Sequence, residues 1–274
     1  MPALLVGGFG LLIGSFLNVV IYRVPAGRSI VSPPSVCGSC HAPVRSRDNV
    51  PVFSWLALRG KCRDCNAGIS VRYPLVELGT AIFFGAVASL TLGGLAPATL
   101  VESTDLIAAI LMLVAFLFFA AISVALTLID LDTRRLPNSI VLPAYPVAVA
   151  LLTAAALFAG EPERLITMAA GGVGLFAIYL AMASVYPGGM GFGDVKLAGV
   201  IGLYLGYLGW GALAVGAFGA FLLGGVFSLV LVLARGATRR TAIPFGPWMI
   251  LGAWVGIFAG GQIATAYLEL FGLV

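Results

Sequence analysis

Gly189-Met190-Gly191-Phe192-Gly193-Asp194-Val195-Lys196 is a glycine-rich break between two apolar runs, and it carries a carboxylate. In so hydrophobic a chain, an ionisable group beside a membrane segment is costly and usually serves function. The glycines let the backbone turn and let another backbone approach closely. A second carboxylate, Asp130, ends a long apolar run upstream, in Ile129-Asp130-Leu131-Asp132-Thr133-Arg134-Arg135-Leu136-Pro137-Asn138. Two acids at the ends of apolar runs suggest a facing pair, for which the rest of the chain is scaffold and substrate dock.

The 274 residues are 61% hydrophobic and 9% charged, which excludes an ordinary soluble domain and points to a polytopic membrane protein. The 36 glycines fit helices that pack closely in lipid. Runs long enough to cross the bilayer, about 20 residues each, fall at 3–22, 74–95, 106–129, 139–159, 165–186, 195–209, 211–234 and 247–268. The expected fold is therefore an all-α membrane bundle of about eight helices. The sixth run is short, and its separation from the seventh rests on Gly206 to Gly211 acting as a turn. No Lys or Arg precedes Arg23, so the first run reads as a retained span, not a cleavable signal.

Lys and Arg set the orientation. With the N-terminus outside, Arg164 alone of the 15 Lys and Arg residues falls in an outer loop. The outer loops instead carry Glu102, Asp105, Glu161 and Glu163, and the inner ones include Arg239 and Arg240. Asp130 and Asp194 then both sit at cytoplasmic ends of their spans.

The one large polar segment, Arg23 to Tyr73, holds all four cysteines as Cys37-Gly-Ser-Cys40 and Cys62-Arg-Asp-Cys65. Two C-x-x-C pairs at this separation are the sequence form of a tetrahedral zinc site. Two disulfides are the other reading, and the cytosolic side argues against them. A loop of this size needs a staple to fold. His41 reads as a bystander, because four cysteines already fill the shell. The domains are expected at 1–22 (first helix), 23–73 (zinc loop) and 74–274 (the multi-helix membrane domain that holds Asp130 and Asp194).

Aspartic proteolysis needs two carboxyl groups that share a proton, one activating water and the other protonating the carbonyl or leaving amine. Asp130 and Asp194 suit these roles; contacts with headgroups or arginines are the alternative. Asp132, in the loop beside Arg134 and Arg135, reads as a solvated ion pair. Lys196 either stabilises ionised Asp194 or simply follows the positive-inside bias. Glu77 reads either as a snorkelling carboxylate or as a contact for a substrate amine or donor sulfonium, with Asn18 and Arg23 lining the same pocket. A carboxylate-bearing transporter is the rival class.

In order along the chain come Gly14-Ser15-Phe16-Leu17-Asn18-Val19-Val20-Ile21-Tyr22-Arg23-Val24-Pro25, the two cysteine pairs, and Arg72-Tyr73-Pro74-Leu75-Val76-Glu77. The Asp130–Pro137 stretch, Gly191–Lys196 and Ile243-Pro244-Phe245-Gly246-Pro247 follow. This series resembles the type IV prepilin peptidases, over nearly the whole chain. The resemblance implies catalysis by Asp130 and Asp194, supported by Gly191, Gly193 and Lys196. It also implies leader removal from prepilins or pseudopilins at the cytoplasmic face of the bacterial inner membrane. Methylation of the new N-terminus from S-adenosylmethionine would follow, the cysteine loop favouring this two-activity form. Asn138 departs from the pattern, since many relatives have Asp there. The expected partners are the leader peptides and the lipid bilayer, with no nucleic acid, and structural zinc is the expected metal, on Cys37, Cys40, Cys62 and Cys65.

Overall fold

The computed structural model describes residues 1–92, 106–185, 190–235 and 244–272. Gly189, Ile243, Arg239, Arg240, Glu102 and Asp105 lie outside the described residues. Among those described, the chain is helical and has no strand: α1 (Pro2–Arg23), the short α2 (Phe53–Ala57), α3 (Arg72–Thr91), α4 (Leu106–Thr133) and α5 (Asn138–Ala159). Then follow α6 (Arg164–Val185), α7 (Phe192–Tyr207), α8 (Trp210–Arg235) and α9 (Gly246–Leu270). Seven of these, α1, α3, α4, α5, α6, α8 and α9, are long and apolar enough to cross a membrane. The eighth long helix, α7, has 16 residues. At about 1.5 Å per residue it is shorter than the hydrocarbon core. Glycine bounds it at both ends, with Gly191 as N-cap and Gly209 at φ 105° in the turn before α8.

The chain divides into two units. The first comprises Met1–Leu95 and Phe116–Ala125. In it α1 packs along α3. Gly10 and Gly14, one turn apart, make this possible: a Cβ on Gly10 would lie 2.8 Å from Ala81 Cα, and one on Gly14 2.6 Å from Glu77 Cα. Small residues at such spacing are what close helix packing in lipid requires, since no hydrophobic drive operates there.

The second unit comprises Ala96–Ala115 and Leu126–Val274. Its centre is α7, buried from Leu197 to Tyr207 and packed on α6, with α5, α8 and α9 also against it. A helix with so little exposed surface is apolar all round, which matches its sequence. Gly202 meets the Gly171 carbonyl and Gly206 that of Thr167, backbone to backbone. Forcing a methyl into such a contact costs about 1–3 kcal/mol, and here no flexible side chain can yield. Gly202→Ala should therefore lower the thermal unfolding midpoint in detergent markedly. Gly79→Ala on α3, where a Cβ meets nothing within 4 Å, should leave it unchanged.

Helix α4 runs four residues past the end expected from its apolar run at Ile129. Hydrophobicity stops there but hydrogen bonding does not: Thr133 Oγ1 donates to Ile129 O (2.8 Å) and the Arg134 N–H to Asp130 O (2.8 Å). Arg134, at φ 54°, then ends the helix in the left-handed conformation common after C-caps. Asp132 thus stands on the helix, where the sequence reading had it in the loop.

Candidate active site and metal centre

Four segments of the second unit converge around the first carboxylate. Asp130, in the last turn of α4, is buried at 4% exposure. Its Oδ2 accepts the Gly246 N–H (3.1 Å) from the start of α9. Such an amide offsets part of the cost of desolvating a carboxylate. The position needs glycine, because a Cβ on Gly246 would lie 2.8 Å from Asp130 Oδ2. Phe245, just before it, is fixed by rings from two other helices: its centroid lies 6.4 Å from Tyr179 and 5.7 Å from Phe221.

Asp194 belongs to the first turn of α7, where its Oδ2 accepts the Gly191 N–H (3.1 Å), as the N3 carboxylate of a capping box does, while its own N–H donates to Gly191 O (3.0 Å). A helix N-terminus favours a negative charge. Asp194 is within electrostatic reach of both Asp130 and Tyr179. Leu136 packs between the two acidic segments: a Cβ on Gly193 would lie 2.9 Å from Leu136 Cβ, and one on Gly246 3.3 Å from its Cδ2. The glycines ahead of Asp194 thus have separate uses, Gly191 as an amide donor and Gly193 as room for Leu136.

Lys196 Nζ donates to Asn138 Oδ1 (2.9 Å) and stands 4.8 Å over the Phe192 ring. The Tyr145 hydroxyl donates to Lys196 O (2.6 Å) and fills the space left by Gly199. Lys196 therefore ties α7 to α5. Sequence reasoning missed the parts played by Gly246, Leu136 and Tyr145. Gly246 and Leu136 had a signal, since each lies in one of the motifs carrying the resemblance; Tyr145 is an aromatic residue with no distinguishing pattern.

The first unit holds the cysteines. Their four Sγ atoms all lie within 4.8 Å of one another, and Cys37 and Cys65 are 3.8 Å apart. A tetrahedron with Zn–S bonds near 2.3 Å has edges of about 3.8 Å. The thiols are unbridged, so the disulfide alternative is not the arrangement adopted. The two knuckles share one geometry. Cys37 N–H donates to Ala42 O and His41 N–H to Cys37 O; Cys62 N–H donates to Ala67 O and Asn66 N–H to Cys62 O. His41 and Asn66 occupy equivalent places, at φ 59° and 58°. Both residue types tolerate the left-handed region, which gives His41 a reason to be there other than metal.

Backbone amides of Cys40 and Ser39 hold the Cys37 thiol down to about 6. Cys65 goes the other way, to about 12: the Ala67 amide favours its thiolate, but hydrogen bonding to Cys40, desolvation, and hydrogen bonds with Cys62 and Cys37 keep the proton on. A divalent metal held by these four sulfurs would displace the protons they share. Outside the cluster, Arg63 grips Asp48 through Nε and Nη2 (2.6–3.0 Å), and that hydrogen-bonded pairing holds the Asp48 carboxyl below its usual range.

Glu77 is buried, and its Oε2 accepts the Val52 N–H (2.7 Å) while Ser15 also hydrogen-bonds to it. It fastens the cysteine loop to α3. Asn18 Nδ2 donates to Tyr73 O (3.2 Å) nearby, whereas Arg23 Nη1 bonds Ser29 O (3.0 Å) at the end of α1.

Two family models match the chain: the bacterial peptidase A24 N-terminal domain over residues 9–91 and the type IV leader peptidase family over 116–229. A prepilin leader peptidase/N-methyltransferase of Aeromonas hydrophila is 34% identical, covering 96% of this chain and 92% of the relative. The chain belongs to the type IV leader peptidase family. Similar enzymes of this name in Pseudomonas aeruginosa (32% identical; 96% and 92% covered) and Neisseria gonorrhoeae (34%; 94% and 90%) align over the same extent. No solved structure matches. With its seven long apolar helices, this leader-peptidase family member is a multi-pass membrane protein.

Proposed function

We propose that the protein is an aspartic endopeptidase that removes the leader from type IV prepilins or pseudopilins, with Asp130 and Asp194 as its catalytic pair. One observation carries the assignment. Two carboxylates at helix ends each accept a backbone N–H, and the one Leu136 side chain packs against Gly246 beside the first and Gly193 beside the second. One carboxylate takes a proton from water as it attacks the scissile carbonyl, and the other, protonated, donates to the leaving amine. Gly191, Gly193 and Lys196 support Asp194 by positioning α7.

The proposed site faces the cytoplasm at the inner membrane, as the Lys and Arg distribution supports. A prepilin leader stays in the cytosol while its apolar helix stays in lipid, so the bond to be cut lies at that interface. Residues 74–274 form the peptidase domain in this reading, and 23–73 a domain that zinc would hold together through Cys37, Cys40, Cys62 and Cys65. The bound metal would supply cross-linking, not chemistry. N-methylation of the cleaved product, the second activity in the relatives' names, is proposed here with S-adenosylmethionine as donor. Asn18, Arg23 and Glu77 are its candidate contacts, and Glu77 is the carboxylate among them that suits a sulfonium.

The test is leader removal from a membrane-embedded prepilin by the purified protein. Gly246→Ala offers a version of it that leaves both acids in place. The added methyl would push the end of the Asp130 side chain off its amide. A displacement of this kind costs about 100-fold in rate, so slow cleavage by a folded variant is expected. Unchanged cleavage would mean that Asp130 is not held by Gly246 for catalysis.

A further inference from the structure

The cysteine loop carries an apolar face that neither the metal cluster nor the carboxylate pair uses. On α2, Phe53 and Leu56 are 65% and 58% exposed. Three residues apart on a helix, they share one side. The other side is committed inward: Ser54 is buried and accepts the Val50 N–H, and Trp55 Nε1 donates to Ile69 O and covers Gly60. Two large apolar side chains exposed together on a short helix call for a partner.

The position of α2 identifies that partner. Val52, immediately before it, is held by Glu77, five residues into α3. At about 1.5 Å per residue, Glu77 lies roughly 8 Å along a membrane-spanning helix from its charged start at Arg72. Val52 is bent to reach it: at φ 63° and ψ −51°, with Phe53 N–H donating to Pro51 O, it forms a γ-turn of the rare strained kind. The chain therefore enters α2 at the level of the lipid interface. On α3 the neighbouring Tyr73, Leu75 and Leu78 are exposed as well. Arg47, Arg59 and Lys61, flanking α2, are exposed cations. An apolar face rimmed by basic groups at the membrane surface matches an anionic leaflet.

We propose that α2 docks on the anionic lipid surface, with Phe53 and Leu56 in the headgroup–acyl boundary and Arg47, Arg59 and Lys61 against phosphates. This anchors the cysteine loop at the membrane. It requires only that α3 spans the bilayer, and so stands apart from the peptidase assignment.

The experiment is photolabelling of the full-length protein in phosphatidylcholine vesicles with and without phosphatidylglycerol. The probe is a phospholipid with a diazirine near its carbonyl end, and adducts are mapped by mass spectrometry. Phe53 and Leu56 should be labelled as strongly as Leu75 and severalfold more than the peptide around Ser39, which is exposed in the first knuckle. Their labelling should fall when phosphatidylglycerol is left out, and also in the Arg47→Gln/Arg59→Gln variant. Labelling of α2 no stronger than at Ser39 would overturn the proposal. So would α2 labelling that a prepilin added to the vesicles removes, since the face would then belong to a peptide.

Discussion

Asp130→Asn and Asp194→Asn should each abolish leader removal while the helices stay folded. Asn is nearly isosteric with Asp and its amide oxygen can still accept the Gly246 or Gly191 N–H, so the local packing survives. What it cannot do is take or give a proton, and a water-activating pair needs one carboxyl in each state. Because the two act as a unit, the double variant should be little worse than either single one. Asp132→Asn should keep partial activity. It stands two positions on from Asp130 along α4, and that spacing turns it to another side of the helix. The measurement is cleavage of a membrane-embedded prepilin, with thermal unfolding in detergent checked for every variant. A dead Asp132→Asn beside an active Asp130→Asn would reassign the first acid. Normal cleavage by both Asp130→Asn and Asp194→Asn would end the protease reading and revive a carboxylate-bearing transporter.

Much of this site was legible in the sequence, for a physical reason. Lipid makes polar residues expensive, so Asp130, Asp194, Glu77 and the cysteine pairs stand out against the apolar background. Helix positions followed from the same contrast, and so did the short α7, from the glycines that bound it. Hydrophobicity could not show where α4 ends, because backbone hydrogen bonding carries the helix on to Thr133 after the apolar run stops. Nor could it show which residues hold the acids. Gly246 acts through its N–H, Leu136 through its shape and Tyr145 through a bond to a main-chain oxygen. Such contacts depend on elements far apart in the chain, and neither spacing nor residue type encodes them. Glu77 lies between these cases. Its burial cost marked it as special, but its tie to the Val52 amide needed the folded loop.

Protein purified under reducing conditions should contain one zinc per chain, and Cys40→Ser should release it and loosen the loop with the membrane helices intact. Apart from the Glu77–Val52 tie to α3, the loop has little else to hold it. Its only α-helix is the five-residue α2, its two β-bridges are isolated, and its ion pairs Arg45–Asp64 and Arg63–Asp48 are partly exposed. Exposed pairs of that kind contribute little, because solvent screens them. A structural zinc contributes on the order of 10 kcal/mol to the folding of a small domain, so the metal decides whether the knuckles stand. Removing one thiolate leaves three ligands and an open position, which weakens the site and admits water. The helices should not notice, because α1 and α3 pack directly on each other through Gly10 and Gly14. Proteolysis distinguishes the two parts: Cys40→Ser, or the parent protein treated with a chelator, should be cut rapidly between Arg28 and Arg72 and nowhere within the spans. A metal-free protein whose loop resists protease as well as the metal-bound form would show that hydrogen bonds alone hold the knuckles. His41→Ala provides the internal control. It should keep its zinc, because His41 serves the turn through its backbone conformation, as Asn66 does in the second knuckle. Loss of zinc from His41→Ala would make the histidine a ligand and break the symmetry of the two knuckles.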